Sequence, residues 1–542
     1  MLSLSHTEVG MKQRKVLKSF LIAIFIGAFF LGCNDKHDDK SKQVTTQKNE
    51  LEYANTKDIR NINPHLYGGE MAAQNMVFES LVLDTKEGIK PWLAQSWEIS
   101  DDGRTYIFHL RKDVTFSDGT PFNAEVVKQN IDAVLSNRTR HAWLELTNEI
   151  NGSEVVDEFT YKLSLKNPYY PTLVELSMTR PFRFISPKCF IKGETKNGVS
   201  CYIGTGPWVL AKHEKNAFAL FEQNPKYWGE KPKLQSVKWR VMPDHQAILL
   251  ALQKGEIDLI FGSDGDMIDL NAFEMLKKEG KYDVLLSSPV ASRAILINTK
   301  RPITKDIQVR EALEYAVNKK AIAEGILNNT ETVANTLLSK ATPYCDIGLK
   351  PKLYDKEKAN SLLEKDGWKM DANGIRNKDG KPLHLKLYYN AKNAQEKSIS
   401  EYIQSNLKDI GVVLEIIGEE KQSFLDRQKS GDFDLQYALS WGTPYDPQSF
   451  ISSWRIAAHG DYQAQLGLEK KAWLDTQIKA ILIEPNEVKR QDMYREIFTY
   501  IHEQNVYIPL SYSRTKAVFV PSLKGVGFNP SQYEIPFEKM YF

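Results

Sequence analysis

Stretches with the two-residue period of β-strands alternate with stretches of helical period along almost the whole chain. Residues 97–99 and 106–110 are two strand patterns, and the turn between them contains Gly103, which is typical of a β-hairpin. Asn123 can cap a helix whose apolar residues recur one turn apart. The chain has no internal repeat. This alternation predicts an α/β protein with mixed sheets.

The composition is that of a large globular protein. The chain has 542 residues, which at roughly 150 residues per domain allows three or four folding units. Its 71 Lys and Arg residues are balanced by 69 Asp and Glu residues, so the formal net charge is only +2. Nucleic-acid-binding proteins normally have a large basic excess. We therefore expect no nucleic-acid partner.

The N-terminal region has the features of an export signal. Lys12, Arg14, Lys15 and Lys18 precede an apolar run of 12 residues at 20–31, which is too short to span a bilayer as a helix. The run ends in Gly32-Cys33, which resembles a bacterial lipoprotein cleavage box. We predict a signal peptide over residues 1–33 with lipidation at Cys33; plain release into the periplasm is the alternative. Residues 34–50 are polar and predict a flexible linker.

Three cysteines follow the predicted signal segment. Export implies an oxidising compartment, where Cys189 and Cys201 could close a loop and leave Cys345 free. The sequence leaves this pairing open. It contains no CxxC motif and no Cys/His cluster of the kind that binds zinc.

A search for catalytic motifs finds none. The sequence has no GxSxG, HExxH or Walker motif, and no GxGxxG after a strand. Its ten histidines are scattered, without local metal-ligand spacing, although distant residues can converge in a fold. We expect a protein that is not an enzyme and that has no catalytic cofactor.

Several motifs identify a family. The segment WEISDDGRTYIFHLRKDVTFSDGTPFNAEV at 97–126 resembles the large solute-binding proteins of bacterial peptide and nickel ABC importers. Shorter stretches at 204–208, 224–229, 255–258 and 309–313 also fit that family. Further stretches resemble its nickel-binding branch: 63–67, 137–146, 169–171, 180–184, 441–447 and 459–465. The resemblance covers essentially the whole chain from about residue 51.

The resemblance implies an architecture. Members have two lobes around a ligand cleft, which closes by a hinge. Here lobe I is expected at 51–289 and, after a return of the chain, at 513–542, with lobe II at 290–512. The resemblance also implies a monomer that delivers its ligand to an ABC permease in the inner membrane, from the periplasm or the extracytoplasmic face of a membrane.

The same resemblance implies a site for nickel already held by a small organic chelator. Arg140 and Arg180 match carboxylate-binding arginines, since the planar guanidinium can pair with a carboxylate through two hydrogen bonds. His459 matches the branch's metal-ligating histidine. The predicted walls of the cleft are Trp143, Trp441, Tyr445 and Met71. Haem or another metal chelate is a variant of this prediction.

Two rival functions stay open on the sequence alone. A dipeptide- or oligopeptide-binding protein of the same family would use a cleft aspartate for the peptide amine, and Asp446 is the candidate. A secreted hydrolase is disfavoured because no nucleophile or base motif is present. The turn at Gly68-Gly69 and the segment 531–533 depart from the nickel branch, and both are expected to affect which chelator fits.

Overall fold

The computed structural model describes residues 48–263 and 267–542. The predicted signal segment, Cys33 and most of the predicted linker lie outside the described residues. No helix in the described part of the chain is long and apolar enough to cross a membrane.

Strands and helices alternate as the sequence predicts. Within the described ranges the strands are β1 (Glu50–Asn55), β2 (Val82–Thr85), β3 (Gly88–Pro91), β4 (Ala94–Ile99), β5 (Thr105–Leu110), β6 (Ile150–Asp157), β7 (Thr160–Leu165), β8 (Phe190–Ile191), β9 (Glu194–Val199), β10 (Trp208–Glu214), β11 (Phe218–Gln223), β12 (Ser236–Val241), β13 (Leu259–Gly262), β14 (Asp283–Ile297), β15 (Thr332–Val333), β16 (Lys369–Met370), β17 (Arg376–Lys378), β18 (Lys381–Pro382), β19 (His384–Asn390), β20 (Val413–Glu419), β21 (Leu435–Leu439) and β22 (Tyr507–Phe519).

The α-helices of the same ranges are α1 (Met71–Val77), α2 (Ala124–Leu135), α3 (Glu145–Glu149), α4 (Thr172–Ser177), α5 (His245–Gln253), α6 (Leu270–Glu279), α7 (Ile307–Ala316), α8 (Lys319–Ala321), α9 (Lys356–Lys365), α10 (Ala394–Lys408), α11 (Lys421–Ser430), α12 (Gln448–Ser453), α13 (Gly460–Gln465), α14 (Lys471–Leu482) and α15 (Glu487–Glu503). Local sequence signals set several of these boundaries. The side chain of Asn123 accepts a hydrogen bond from the backbone N–H of Val126 and so begins α2, as predicted. The hairpin between β4 and β5 is also confirmed.

One mixed sheet of eleven strands forms the frame of the described molecule. Its order is β10-β11-β12-β1-β13-β22-β14-β21-β19-β20, with β15 paired to β22 at the side. Strands β1, β10–β13 belong to one half and β19–β21 to the other. The long antiparallel pair of β14 and β22 joins the halves. The predicted α/β fold with two lobes and mixed sheets is therefore confirmed.

The two connecting strands differ from the sequence expectation in one respect. The sequence pattern predicts two strands, at 506–512 and 517–520, but β22 runs unbroken from Tyr507 to Phe519. Ser513, Thr515 and Lys516 are almost fully buried, and the hydroxyl of Ser513 donates to the carbonyl of Ala291. Ser513 and Thr515 fit into the sheet because neighbouring groups pair with them, and the backbone N–H of Thr515 donates to the hydroxyl of Ser287.

The predicted boundaries between the lobes fall inside these strands. Pairing of β14 with β22 shifts register on both sides of Pro289, between Leu286 and Ala291. A register shift locally interrupts the ladder of hydrogen bonds. We therefore keep the hinge near residues 289 and 513 as a proposal.

A disulfide joins Cys189 and Cys201, so the structure resolves the pairing that the sequence left open. Cys345 is free and buried. The disulfide ties the short strands β8 and β9 to the rest of lobe I, since Cys189 is fully buried in its core.

Candidate functional site

A cavity of about 330 Å³ lies between residues of the two halves. Its lining consists of Tyr67, Met71, Trp143, Arg180, Trp441, Tyr445, His459 and Tyr533. Six of these eight were predicted from the sequence. The seventh predicted ligand residue, Arg140, is exposed beside this cavity, with its guanidinium over the ring of Tyr67.

Two guanidinium groups share one tyrosine ring. The guanidinium carbon of Arg140 is 4.8 Å from the ring centroid of Tyr67, and that of Arg180 is 5.2 Å from it. Both distances are within the range of cation–π attraction. Within the described residues neither arginine forms an ion pair, and the guanidinium of Arg180 donates only to the carbonyl of Gly69, at 3.1 Å. Most of their N–H donors are therefore available to an anionic ligand.

The turn that places Tyr67 is closely packed. A Cβ atom at Gly69 would lie 2.5 Å from the carbonyl oxygen of Asn61, so only glycine fits there. The hydroxyl of Tyr67 accepts a hydrogen bond from the indole of Trp143 at 2.8 Å and donates to Nδ1 of His141 at 2.6 Å. Burial lowers the pKa of His141 to about 4, so at neutral pH its uncharged ring can accept this proton. These contacts fix the ring beneath the two arginines.

His459 is the predicted metal ligand, and it immediately precedes helix α13. Its ring lies 5.7 Å from the ring of Trp441, centroid to centroid, and it lines the cavity. No described residue forms a hydrogen bond with its ring nitrogens. Burial lowers the pKa of His459, and this effect outweighs the nearby Asp461 carboxylate, which raises it. The imidazole is therefore uncharged at neutral pH, the form that binds metals.

Among the described residues that line the cavity, His459 is the only histidine, cysteine or carboxylate. Among the described residues, no group of three or more His, Cys, Asp or Glu side chains is arranged to hold a metal ion. The site can thus contribute one imidazole to a metal whose other ligands come from elsewhere.

Aromatic side chains form the walls and meet across the cavity. Trp143 and Trp441 are 5.5 Å apart in an edge-to-face arrangement, and Tyr445 lies 5.9 Å from Tyr533 in a similar one. The hydroxyl of Tyr445 is 3.9 Å from the sulfur of Met71. Such walls can pack on the apolar atoms of a ligand and exclude water.

The loop that carries Trp441 and Tyr445 is organised by Asp446. The carboxylate of Asp446 accepts hydrogen bonds from the hydroxyl of Ser440 at 2.6 Å and from the backbone N–H groups of Gly442 and Trp441 at 2.9 and 3.2 Å. Asp446 is buried and does not line the cavity. The alternative in which Asp446 presents its carboxylate to a peptide amine does not fit this structure, because the loop itself uses that carboxylate.

Sequence reasoning missed two lining residues, Tyr67 and Tyr533. Tyr67 ends the nickel-branch motif at 63–67 and stands four residues before Met71, which was a usable signal. Tyr533 lies in a segment that departs from that branch, so no motif pointed to its role.

Comparisons with known proteins agree with this geometry. Residues 88–462 match the family "Bacterial extracellular solute-binding proteins, family 5 Middle". The chain is 43% identical over 482 residues to the "Nickel-binding periplasmic protein" of Escherichia coli K12. The aligned region covers 88% of this chain and 92% of that protein.

Two solved structures are also similar. The structure of NikA from Brucella suis in complex with Fe(III)-EDTA has a TM-score of 0.89 and 44% identity, and covers 91% of this chain and 99% of that one. The structure of NikZ from Campylobacter jejuni in complex with Ni(L-His) has a TM-score of 0.78 and 27% identity. The match covers 91% of this chain and 100% of that one. The chain therefore belongs to family 5 of the bacterial extracellular solute-binding proteins.

Proposed function

We propose that this protein captures nickel already chelated by a small carboxylate-bearing molecule and delivers it to an ABC permease. One observation carries the proposal: a single cavity between the lobes brings together one unpaired imidazole, from His459, and the guanidinium of Arg180, with that of Arg140 beside it. The nickel-binding relative and the two metal-chelate complexes described above support the same ligand class.

The stoichiometry of ligands requires a chelator. One imidazole fills one coordination position of nickel, and imidazole suits this metal well. The remaining positions must be filled by the chelator, whose carboxylates carry negative charge into the cleft. Arg140 and Arg180 would hold these carboxylates through charge-assisted hydrogen bonds.

The aromatic walls strengthen such contacts. Trp143, Trp441 and Tyr445 would exclude water from the bound complex. Electrostatic interactions are stronger in such a low-dielectric site than in water. The cavity thus favours a compact chelate with charged oxygens on one side and apolar atoms on the other.

Calorimetry tests the proposal directly. We expect weak binding of Ni²⁺ in chelator-free buffer and tight binding of Ni²⁺ with L-histidine or with EDTA. Dipeptides and tripeptides without metal should not compete. Tight binding of bare nickel, or stronger binding of peptides than of chelated nickel, would contradict the proposal.

We further propose that the mature protein is a monomer tethered to a membrane through a lipid on Cys33, and that it has no enzymatic activity. The basic residues, the apolar run and the Gly32-Cys33 pair motivate the tether. Cys33→Ser should release the protein from the membrane fraction without changing the affinity for nickel–histidine. Recovery of the wild-type protein in the soluble fraction, with an N-terminus downstream of Cys33, would refute this tether.

A further inference from the structure

Tyr170 of lobe I reaches into lobe II. It lies two residues before helix α4, whereas Tyr344, Arg490 and Tyr494 belong to lobe II by the proposed boundaries. We call these three residues the socket. The hydroxyl groups of Tyr170 and Tyr494 are 2.5 Å apart, and the backbone N–H of Tyr170 donates to the carbonyl of Leu482, also in lobe II, at 3.3 Å. Both the side chain and the backbone of Tyr170 therefore bind the other lobe.

The socket contacts the ring of Tyr170 as well as its hydroxyl. The guanidinium carbon of Arg490 is 4.2 Å from the centroid of this ring, which is within the range of cation–π attraction. The ring of Tyr344 meets it edge to face, with the centroids 6.1 Å apart. Opening the lobes would withdraw the ring from the socket, break the hydroxyl contact and expose aromatic surface to water. The contact therefore favours the closed arrangement.

The socket is held in place by contacts inside lobe II. The guanidinium of Arg490 donates to the hydroxyl of Tyr344 at 3.1 and 3.2 Å and to the carbonyl of Glu484 at 2.7 Å. The rings of Tyr344 and Tyr494 stack with their centroids 4.8 Å apart. The backbone of Tyr344 has a φ of 65°, a left-handed conformation that bulky residues rarely adopt. Such conformations persist where surrounding contacts enforce them, and they concentrate at functional positions.

Two further contacts cross between the lobes from the same part of lobe I. The guanidinium of Arg455 donates to the carboxylate of Glu145 at 2.9 Å, and the hydroxyl of Ser449 donates to Glu175 at 3.4 Å. The backbone N–H of Leu146 donates to Glu175 at 3.1 Å, which connects the two lobe I residues. A partly exposed ion pair and a long hydrogen bond each contribute little stability. We therefore expect the ring and hydroxyl of the tyrosine to supply the larger share.

We propose that Tyr170 and the socket form a latch that keeps the lobes closed in the ligand-free protein. Neither Tyr170 nor any residue of the socket lines the nickel cavity. A ligand that binds only the closed arrangement has its apparent affinity reduced by the fraction of molecules that are closed beforehand. The latch thus raises the affinity of the nickel cavity without touching the ligand. This inference rests on the proposed function only for the choice of ligand.

Small-angle X-ray scattering and calorimetry test the latch. We expect the wild-type protein to have the same radius of gyration with and without Ni²⁺ and L-histidine. Tyr170→Ala removes both the hydroxyl and the ring, so its radius of gyration should be larger without ligand and should return to the wild-type value with it. Its affinity for nickel–histidine should be about tenfold weaker, the scale of one hydrogen bond and one cation–π contact.

Conservative variants keep the test decisive where Tyr170→Ala fails to fold. Tyr170→Phe and Tyr494→Phe keep both rings and should each weaken the affinity about threefold. The double variant should be no weaker than either single one, because the two hydroxyls act as a pair. Tyr161→Phe is the matched control, since the hydroxyl of Tyr161 lies 2.9 Å from that of Ser153 within lobe I. Its radius of gyration and its affinity should equal those of the wild type.

A ligand-free wild type with a larger radius of gyration than its nickel–histidine complex would overturn the latch. Equal radii for the ligand-free wild type and Tyr170→Ala would also overturn it, because the contact would then be a pivot that persists when the lobes open. For the conservative variants, wild-type affinity in both single variants is the overturning result. If nickel–histidine does not bind the wild type at all, the proposed function fails, whereas the radii of the ligand-free proteins still decide the latch.

Discussion

The two walls of the nickel cavity differ in the chemistry they offer. The lobe I wall carries cations, Arg140 and Arg180, over the ring of Tyr67. The lobe II wall carries the imidazole of His459 and no cation among the residues that line the cavity. A chelated metal has carboxylates on the organic molecule and an open coordination position on the metal, so it can satisfy both walls at once. On the proposed function, neither wall alone would complete the site, so ligand binding would require both lobes together.

The two walls are also built in different ways. In lobe I, side-chain hydrogen bonds from Trp143 and to His141 fix Tyr67 beneath the arginines. In lobe II, the carboxylate of Asp446 organises the backbone of the loop that carries Trp441. The first wall therefore depends on a few side-chain contacts, whereas the second depends on backbone geometry.

The largest expected effect comes from removing a cation of lobe I. Arg180→Ala should weaken the binding of nickel–chelator complexes about 10- to 150-fold, because a carboxylate in the closed cavity would lose a charge-assisted hydrogen bond. Arg180→Lys should recover only part of the affinity, since an ammonium group cannot make the paired contact of a guanidinium. Isothermal titration with Ni²⁺ and L-histidine measures both.

A matched control for Arg180 is Arg104→Ala, which removes an exposed arginine of the hairpin between β4 and β5 that pairs only locally with Asp102. Its affinity should equal that of the wild type. Equal affinity of Arg180→Ala and Arg104→Ala would show that lobe I does not hold the chelator through this residue.

The next effect concerns the other wall. His459→Ala should weaken binding on the order of tenfold, because the chelator retains the other coordination positions. It should also change the visible absorption spectrum of the bound nickel, because one ligand nitrogen is replaced. Arg180→Ala should leave that spectrum nearly unchanged. An unaltered spectrum in His459→Ala would contradict the assignment of this imidazole to the metal.

A smaller effect on affinity is expected at Tyr67. Tyr67→Phe keeps the ring beneath both arginines but removes the hydroxyl that forms hydrogen bonds with His141 and Trp143. Affinity should fall about threefold, on the scale of one ordinary hydrogen bond, and the free energy of unfolding should fall by about 1–3 kcal/mol because buried polar atoms lose their partner. Denaturation and titration of the same variant measure the two quantities. A tenfold loss of affinity without loss of stability would mean that the hydroxyl contacts the ligand.

No change in the affinity for nickel–chelator complexes at neutral pH is expected from replacing Glu175, which is buried and does not line the cavity. Its carboxyl group accepts a hydrogen bond from the hydroxyl of Tyr169 at 2.6 Å and another from the hydroxyl of Ser449, in lobe II, at 3.4 Å. Burial raises its pKa from 4.5 to about 8. Between these values the folded protein holds a proton that the unfolded chain releases, so this group makes stability fall as pH rises from about 4.5 to about 8.

Glu175→Gln removes this titration. The variant should lose less stability than the wild type over that pH range, and the difference in slope should be at most about 1.4 kcal/mol per pH unit. Chemical denaturation at several pH values measures it. Identical pH profiles for the wild type and Glu175→Gln would mean that the carboxyl is not held neutral in the fold.

Local rules predicted much of the fold. The cap predicted at Asn123 begins α2, and the hairpin predicted around Gly103 joins β4 and β5. Such signals need only a few neighbouring residues, which is why the sequence reveals them. The prediction of two separate strands at 506–512 and 517–520 was wrong, because the polar residues between them are buried against partners far along the chain, such as Ala291.

The sequence by itself determined the family, through long motifs, and with it the residue types that the cleft requires. Only the tertiary structure decided that Met71, Trp143, Arg180 and His459 meet around one cavity, that Tyr67 and Tyr533 join them, and that Asp446 faces its own loop. It also decided the pairing of Cys189 with Cys201. The physical reason is that a motif records which side chains are present, whereas burial, hydrogen-bond partners and the direction of each side chain are set by contacts between segments distant in sequence.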